Sequence, residues 1–188
     1  MNYIKYRDEF PKLLNELNLN GNGIEIGVAN GKFSKVLLTS NISKFYLLDA
    51  WREFPKELYQ DKSNCPQVEQ DKRYEFVVNE MKSYGDRVVI IRDDCHNACN
   101  VFSDGHFDFI YIDANHDYEY IKRDMHDWYS KLRSGGIFAG HDYMDGIRHT
   151  GKYGVKTAVG EFCSNLKIVP IITKGTRRIP PSWYFMKP

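Results

Sequence analysis

The sequence contains no apolar run approaching the ~18 residues of a membrane span, and its first stretch, MNYIKYRDEFPKLL, lacks the apolar core of a secretory signal. A cytoplasmic protein with no membrane partner is expected. Cysteine is scarce: Cys65, Cys95, Cys99 and Cys163 form no C-x-x-C pair and offer no second pair for a zinc site, so free intracellular thiols are expected. Net charge is nearly absent, with 26 basic against 25 acidic side chains, and nothing in this balance demands a nucleic-acid partner. Internal repeats and low-complexity tracts are missing, and 188 residues suit one domain.

What is present is an alternation of strand and helix patterns. Apolar runs at 24–28, 44–48, 87–91, 107–112 and 136–140 read as buried strands. Helical spacing falls at 3–18, 32–38, 68–84, 118–132 and 154–165. Two closing strands, 168–172 and 183–186, complete the pattern. The fold class is therefore α/β, Rossmann-like and doubly wound: a mainly parallel seven-stranded sheet with an antiparallel closing strand. The chain reads as one domain over 1–188, with an N-terminal helix within 1–20. Residues 51–67 break the rhythm with two prolines and mixed aromatic and charged side chains, and are expected to form a lid.

In such a sheet, ligands bind beyond the carboxyl ends of the strands. After the first strand stands Glu25-Ile-Gly27-Val-Ala-Asn-Gly31. This turn is one residue short of a phosphate-binding P-loop and carries Phe33 where that loop needs a hydroxyl; Ala29 and Asn30 depart from the dinucleotide fingerprint. The second strand ends at Asp49, about 20 residues beyond the turn, where a carboxylate can accept from ribose hydroxyls. Asp94, after the third strand, suits both an adenine amino group and a helix N-cap. The fourth strand delivers Asp113 and His116, the fifth His141 and Asp142, so carboxylates and imidazoles share one rim able to bind a divalent ion and hold a base. Ligand softness does not choose among magnesium, manganese, iron and zinc.

This order of motifs, E-I-G-x-x-x-G, an acid after the second strand, I-D-x-x-H-x-Y and L-x-x-G-G-x-x-x-x-H-D, resembles the class I S-adenosylmethionine-dependent methyltransferases from Ile24 onward. It is most similar to their metal-dependent branch of small-molecule and sugar O-methyltransferases, including macrolide glycoside methyltransferases. The resemblance implies that Glu25, Gly27 and Gly31 shape the seat of the cofactor's methionine part, Asp49 holds its ribose, and Asp94 with Cys95 borders its adenine. It casts His116, with Asp113, as catalytic, and Asp113, His141 and Asp142 as ligands of a divalent cation, magnesium favoured. His141 stands where relatives have an acid, which motivates the alternative of a cofactor-binding regulatory module without transferase activity.

The acceptor implied is a small hydroxylated molecule, a sugar or glycoside, with no nucleic acid; the chain is free to form an oligomer. Trp51, Phe54, Tyr59, Tyr143, Tyr153 and Trp183 are candidate stacking faces for it, and Arg177 and Arg178 candidate attractors of an anionic acceptor.

Overall fold

A computed structural model describes residues 3–176 and 179–188; Arg177 and Arg178 lie outside the described residues. A 3-10 turn (Arg7–Glu9) leads into α1 (Phe10–Glu16), followed by β1 (Asn22–Ile26), α2 (Lys32–Leu37), β2 (Lys44–Asp49), α3 (Gln67–Met81), β3 (Val88–Arg92), α4 (Cys95–Ala98), β4 (Phe107–Ile112), α5 (Tyr118–Tyr129) and β5 (Leu132–Gly140). A hairpin of β6 (Asp145–Arg148) and β7 (Gly151–Gly154) then precedes α6 (Val155–Asn165), β8 (Ile171–Ile172) and β9 (Trp183–Met186).

Seven strands make one sheet in the order β3-β2-β1-β4-β5-β9-β8. The strands from β3 across to β5 are parallel, and β9 runs antiparallel to both its neighbours. The expected fold class is what the chain adopts. β4 shows why: its six residues are all buried, Phe109 and Tyr111 packing under α1 and α2 while Ile110 and Ile112 pack under α5 and α6. A strand covered on both faces is apolar on both except where a polar group is paired, as Asp108 is with the Gly21 N–H (2.9 Å) and Arg133; its other five residues read as an apolar strand.

Three differences from the sequence reading have local causes. Pro11 sits in the first turn of α1, where its missing N–H costs nothing, and the α-helix starts at Phe10 rather than at residue 3. Pro170 has no ladder donor, so β8 begins after it and spans only two residues. The β6-β7 hairpin, glycine-rich and with β6 fully exposed, offers no apolar alternation to find. Residues 51–66 hold no helix or strand.

Register places the site. Ile26 lies opposite both Leu48 and Ile112, and Ile112 opposite Gly140, so four strands end at one level. Backbone bonds from Gly27 to Leu48 (2.8 Å), Asp113 to Ile26 (2.7 Å) and His141 to Ile112 (2.9 Å) carry the alignment one residue further. Gly27 has φ +93°, and a Cβ there would stand 2.1 Å from the carbonyl oxygen of Asp113. Gly146 in the hairpin has a similar φ of +105° with nothing within 4 Å. Gly27→Ala is therefore expected to lower stability by about 3 kcal/mol or more, strain and overpacking together, and Gly146→Ala by about 1 kcal/mol from strain alone. Urea denaturation of both variants checks this; equal losses would refute the close-approach argument.

Candidate active site

The strand ends border a cleft of about 1340 Å³ at the point where the strand order reverses, between β1 and β4. Its floor is the turn from Gly27 to Asn30, closed by Gly31, which packs on Met81 and Val77 of α3 instead of lining the cleft; φ is +93°, +50° and +72° at Gly27, Ala29 and Gly31. The N–H groups of Val28 and Ala29 donate to Asp49 Oδ2 (2.9 and 2.8 Å), and that of Trp51 to Asp49 Oδ1 (2.8 Å). Trp51 Nε1 returns a bond to the Ala29 carbonyl (2.8 Å). A protein carboxylate thus occupies donors that a phosphate would use. Burial raises the pKa of Asp49, against the pull of those three N–H groups.

Glu25 points into the same floor from β1, buried and accepting a hydrogen bond from the Ser34 hydroxyl. Burial pushes its pKa up to about 8, the Ser34 bond and Arg7 opposing and Asp113 reinforcing the shift. On the far side, Asp94 caps α4, its Oδ1 accepting from the His96 N–H (2.9 Å). Cys95 donates its thiol to the buried Asp124 (3.1 Å), and burial, then that carboxylate, hold the thiol far above its usual range. Asp124 itself is lifted by burial to about 6. With His96 Nδ1 2.8 Å from Asp127, the neighbouring Asp94-Cys95-His96 group is engaged within the protein and makes a poor metal site.

The ends of β4 and β5 bring Asp113, His116, His141 and Asp142 together as expected. His116 Nε2 lies 2.8 Å from Asp142 Oδ2 and 3.3 Å from Asp113 Oδ1, and its ring stacks on Tyr153 at 5.2 Å. Its Nδ1 faces Asp61 at 3.7 Å, beyond hydrogen-bond reach. Burial alone would lower its pKa, but the three carboxylates carry it well above the usual histidine value. Asp113 and Asp142 are held below the carboxylate range despite burial, by the two histidines and, for Asp113, Arg7. His141 Nδ1 stands 3.3 Å from Asp142 and 3.7 Å from Asp113. One ligand atom each from Asp113, His141 and Asp142 fall within 4.8 Å of one another, a two-oxygen, one-nitrogen set that fits a divalent cation. Asp142 reaches it through a left-handed backbone, φ +51°, which aspartate tolerates better than most residues.

Two aromatic candidates fall away: Trp51 and Trp183 are fully buried, the latter packed on Phe138 and Phe185. Tyr143 packs with the α5-α6 core, while Phe54, Tyr59 and Tyr153 line the cleft. Sequence reasoning missed Arg7, Asp61 and Asp124, all of which line it. Asp61 and Arg7 carry no local signal, since only the fold brings their loops to the rim. Asp124 does: it is an acid on the apolar face of α5 among Ile121, Met125 and Trp128.

A family model described as methyltransferase domain matches residues 24–143. Among solved structures, the chain is similar to an O-methyltransferase from Bacillus cereus in complex with SAH (TM-score 0.66, 15% identity, 96% of this chain and 80% of that one). It is also similar to an rRNA methylase from Streptococcus thermophilus (0.62, 13%, 94% and 93%) and the N-methyltransferase NodS from Bradyrhizobium japonicum (0.64, 16%, 97% and 94%). No curated protein matches the chain.

Glu25 makes stability depend on pH in a predictable direction. Between its ordinary value of 4.5 and about 8 the unfolded carboxyl ionises while the folded one stays protonated, so the native state binds more protons and loses stability as pH rises. Glu25→Gln removes this loss. Its stability relative to wild type should climb from pH 4.5 to 8, by at most about 1.4 kcal/mol per pH unit, and level off above. Chemical denaturation of both proteins across this range checks it; a pH-independent difference would refute the raised value.

Proposed function

The chain belongs to the methyltransferase-domain family, and from that premise we propose that it transfers methyl from S-adenosylmethionine to a hydroxyl of a small acceptor, a sugar or glycoside. The observation carrying the O-transfer reading is the rim cluster: Asp113, His116, His141 and Asp142 meet beside the glycine turn in one cleft.

The cofactor supplies an already activated methyl on a sulfonium, and the protein's task is alignment and proton removal. The donor set suits it. Asp49 accepts three backbone N–H bonds of the roughly four a carboxylate can take, leaving room for one ribose hydroxyl. Asp94 and Cys95 line the cleft beyond it and would border the adenine, Glu25 and Gly27 line it where the methionine end would sit, and Gly31 shapes the turn from behind, against Met81 and Val77 of α3. Asp113, His141 and Asp142 would hold the divalent ion, magnesium first, which lowers the pKa of a bound hydroxyl and orients it. His116 is the group placed to receive the acceptor proton once it is neutral: Asp113 and Asp142, engaged by a divalent ion, would be drawn off its Nε2 and no longer hold its pKa up, while Tyr153 keeps the ring in place. Phe54 and Tyr59 from the 51–66 loop and Tyr153 from the hairpin form an aromatic mouth that suits a sugar face and screens the methyl from water.

The regulatory alternative rested on His141. Its Nδ1 faces both Asp113 and Asp142, so the imidazole stands as a substitute ligand, which favours the transferase. In a coupled assay of SAH formation with a hydroxylated acceptor panel, His116→Ala should lose about 10²-fold or more of turnover, and Asp113→Asn a similar factor. Chelation should reduce the wild-type rate and magnesium restore it. Full turnover in either variant would remove that residue from the reaction, and no S-adenosylmethionine binding by calorimetry, with or without magnesium, would remove the reading altogether.

A further inference from the structure

Arg7 stands in the cleft with its side chain one-fifth exposed, yet among the described residues its guanidinium makes no hydrogen bond. It lies over the Phe33 ring at 3.9 Å, and its one ion-pair partner among the described residues, Asp113 Oδ2, is 3.6 Å away. This is not a loose surface side chain. The segment carrying it is tied down by bonds from Ile4 N–H to the Tyr184 hydroxyl (3.1 Å), Lys5 N–H to Glu9 (2.7 Å) and Lys174 N–H to the Lys5 carbonyl (2.7 Å). A guanidinium offers five donors in a rigid fork that matches a carboxylate edge, and leaving them all unsatisfied in a partly buried place is costly.

The geometry points to Arg7 as the residue that receives the α-carboxylate of the methionine portion of S-adenosylmethionine, an assignment that rests on the cofactor reading above. An α-amino acid carries its ammonium one carbon from its carboxylate, so its seat needs opposite charges side by side. Arg7 and Asp113 Oδ2 supply them at 3.6 Å. Asp113 divides its two oxygens accordingly: Oδ1 faces His116 and His141 on the acceptor side, Oδ2 faces Arg7 on the turn side. The turn cannot meet the carboxylate with its Val28 and Ala29 N–H groups, because Asp49 has taken both. Arg7 also rests on Phe33, in the first turn of α2, whereas Asp61 and Tyr153 flank His116.

Decarboxylated S-adenosylmethionine lacks only the group in question, which gives a direct test. Calorimetric titration of both ligands into wild type, Arg7→Gln and Arg7→Lys should show wild type preferring S-adenosylmethionine by about tenfold or more. Arg7→Gln should erase that preference by weakening S-adenosylmethionine about tenfold or more while binding the decarboxylated ligand as well as wild type or better, which also certifies its fold. Arg7→Lys should recover part of the loss. Undiminished S-adenosylmethionine binding by Arg7→Gln, an equal loss for both ligands, or a wild type indifferent to the carboxylate would each overturn the assignment alone. A wild type that binds neither ligand would overturn the cofactor reading itself.

Discussion

One buried carboxylate organises the floor of the cleft. Asp49 leaves the end of β2 and gathers N–H groups from Val28, Ala29 and Trp51, locking the turn after β1 to the strand beside it. Trp51 closes the circuit by donating to Ala29. The turn keeps its left-handed backbone at Gly27, Ala29 and Gly31 because this anion sits inside it, much as a phosphate sits in other glycine turns. The negative charge that would otherwise come from a ligand is built in, and the space above is left for a cofactor whose own charges lie at its amino-acid end.

From that floor the rest follows by register. Four parallel strands end level, so each first residue after a strand becomes a neighbour of the next: Gly27, Asp113 and His141 in particular. Asp113 thereby holds a double position, with its backbone carbonyl against Gly27 and its side chain between Arg7 and the histidines. A shift of one residue in β4 would remove both contacts at once.

The features legible in the sequence were those fixed by burial on two faces or by an abrupt change from apolar to polar residues. Both criteria mark the ends of β1, β2, β4 and β5, and hence Asp49, Asp113, His141 and Asp142. What could not be read came from segments whose role is set only by where the chain returns. Arg7 precedes α1 by a 3-10 turn, and Asp61 lies in a loop without helix or strand. The hairpin that brings Tyr153 against His116 has too much glycine and too much exposure to show a strand period. Trp183 misled for the opposite reason: an aromatic at a strand's start reads equally well as rim or core, and the small Gly140 beside it made room for the core.

The 51–66 loop and the hairpin meet over the cleft, where the Lys62 N–H donates to the Thr150 carbonyl (3.1 Å) and Gly151 packs so tightly on Gln60 that a Cβ would stand 2.7 Å from its carbonyl oxygen. Neither segment belongs to the seven-stranded sheet. Both are nonetheless pinned to its strand ends: Trp51 of the loop bonds Asp49 and Ala29, and the Gly154 N–H of the hairpin donates to the His116 carbonyl (2.8 Å). A change of sequence in the arch that spares these few anchors would alter which molecules the mouth admits and leave the strand ends where they are.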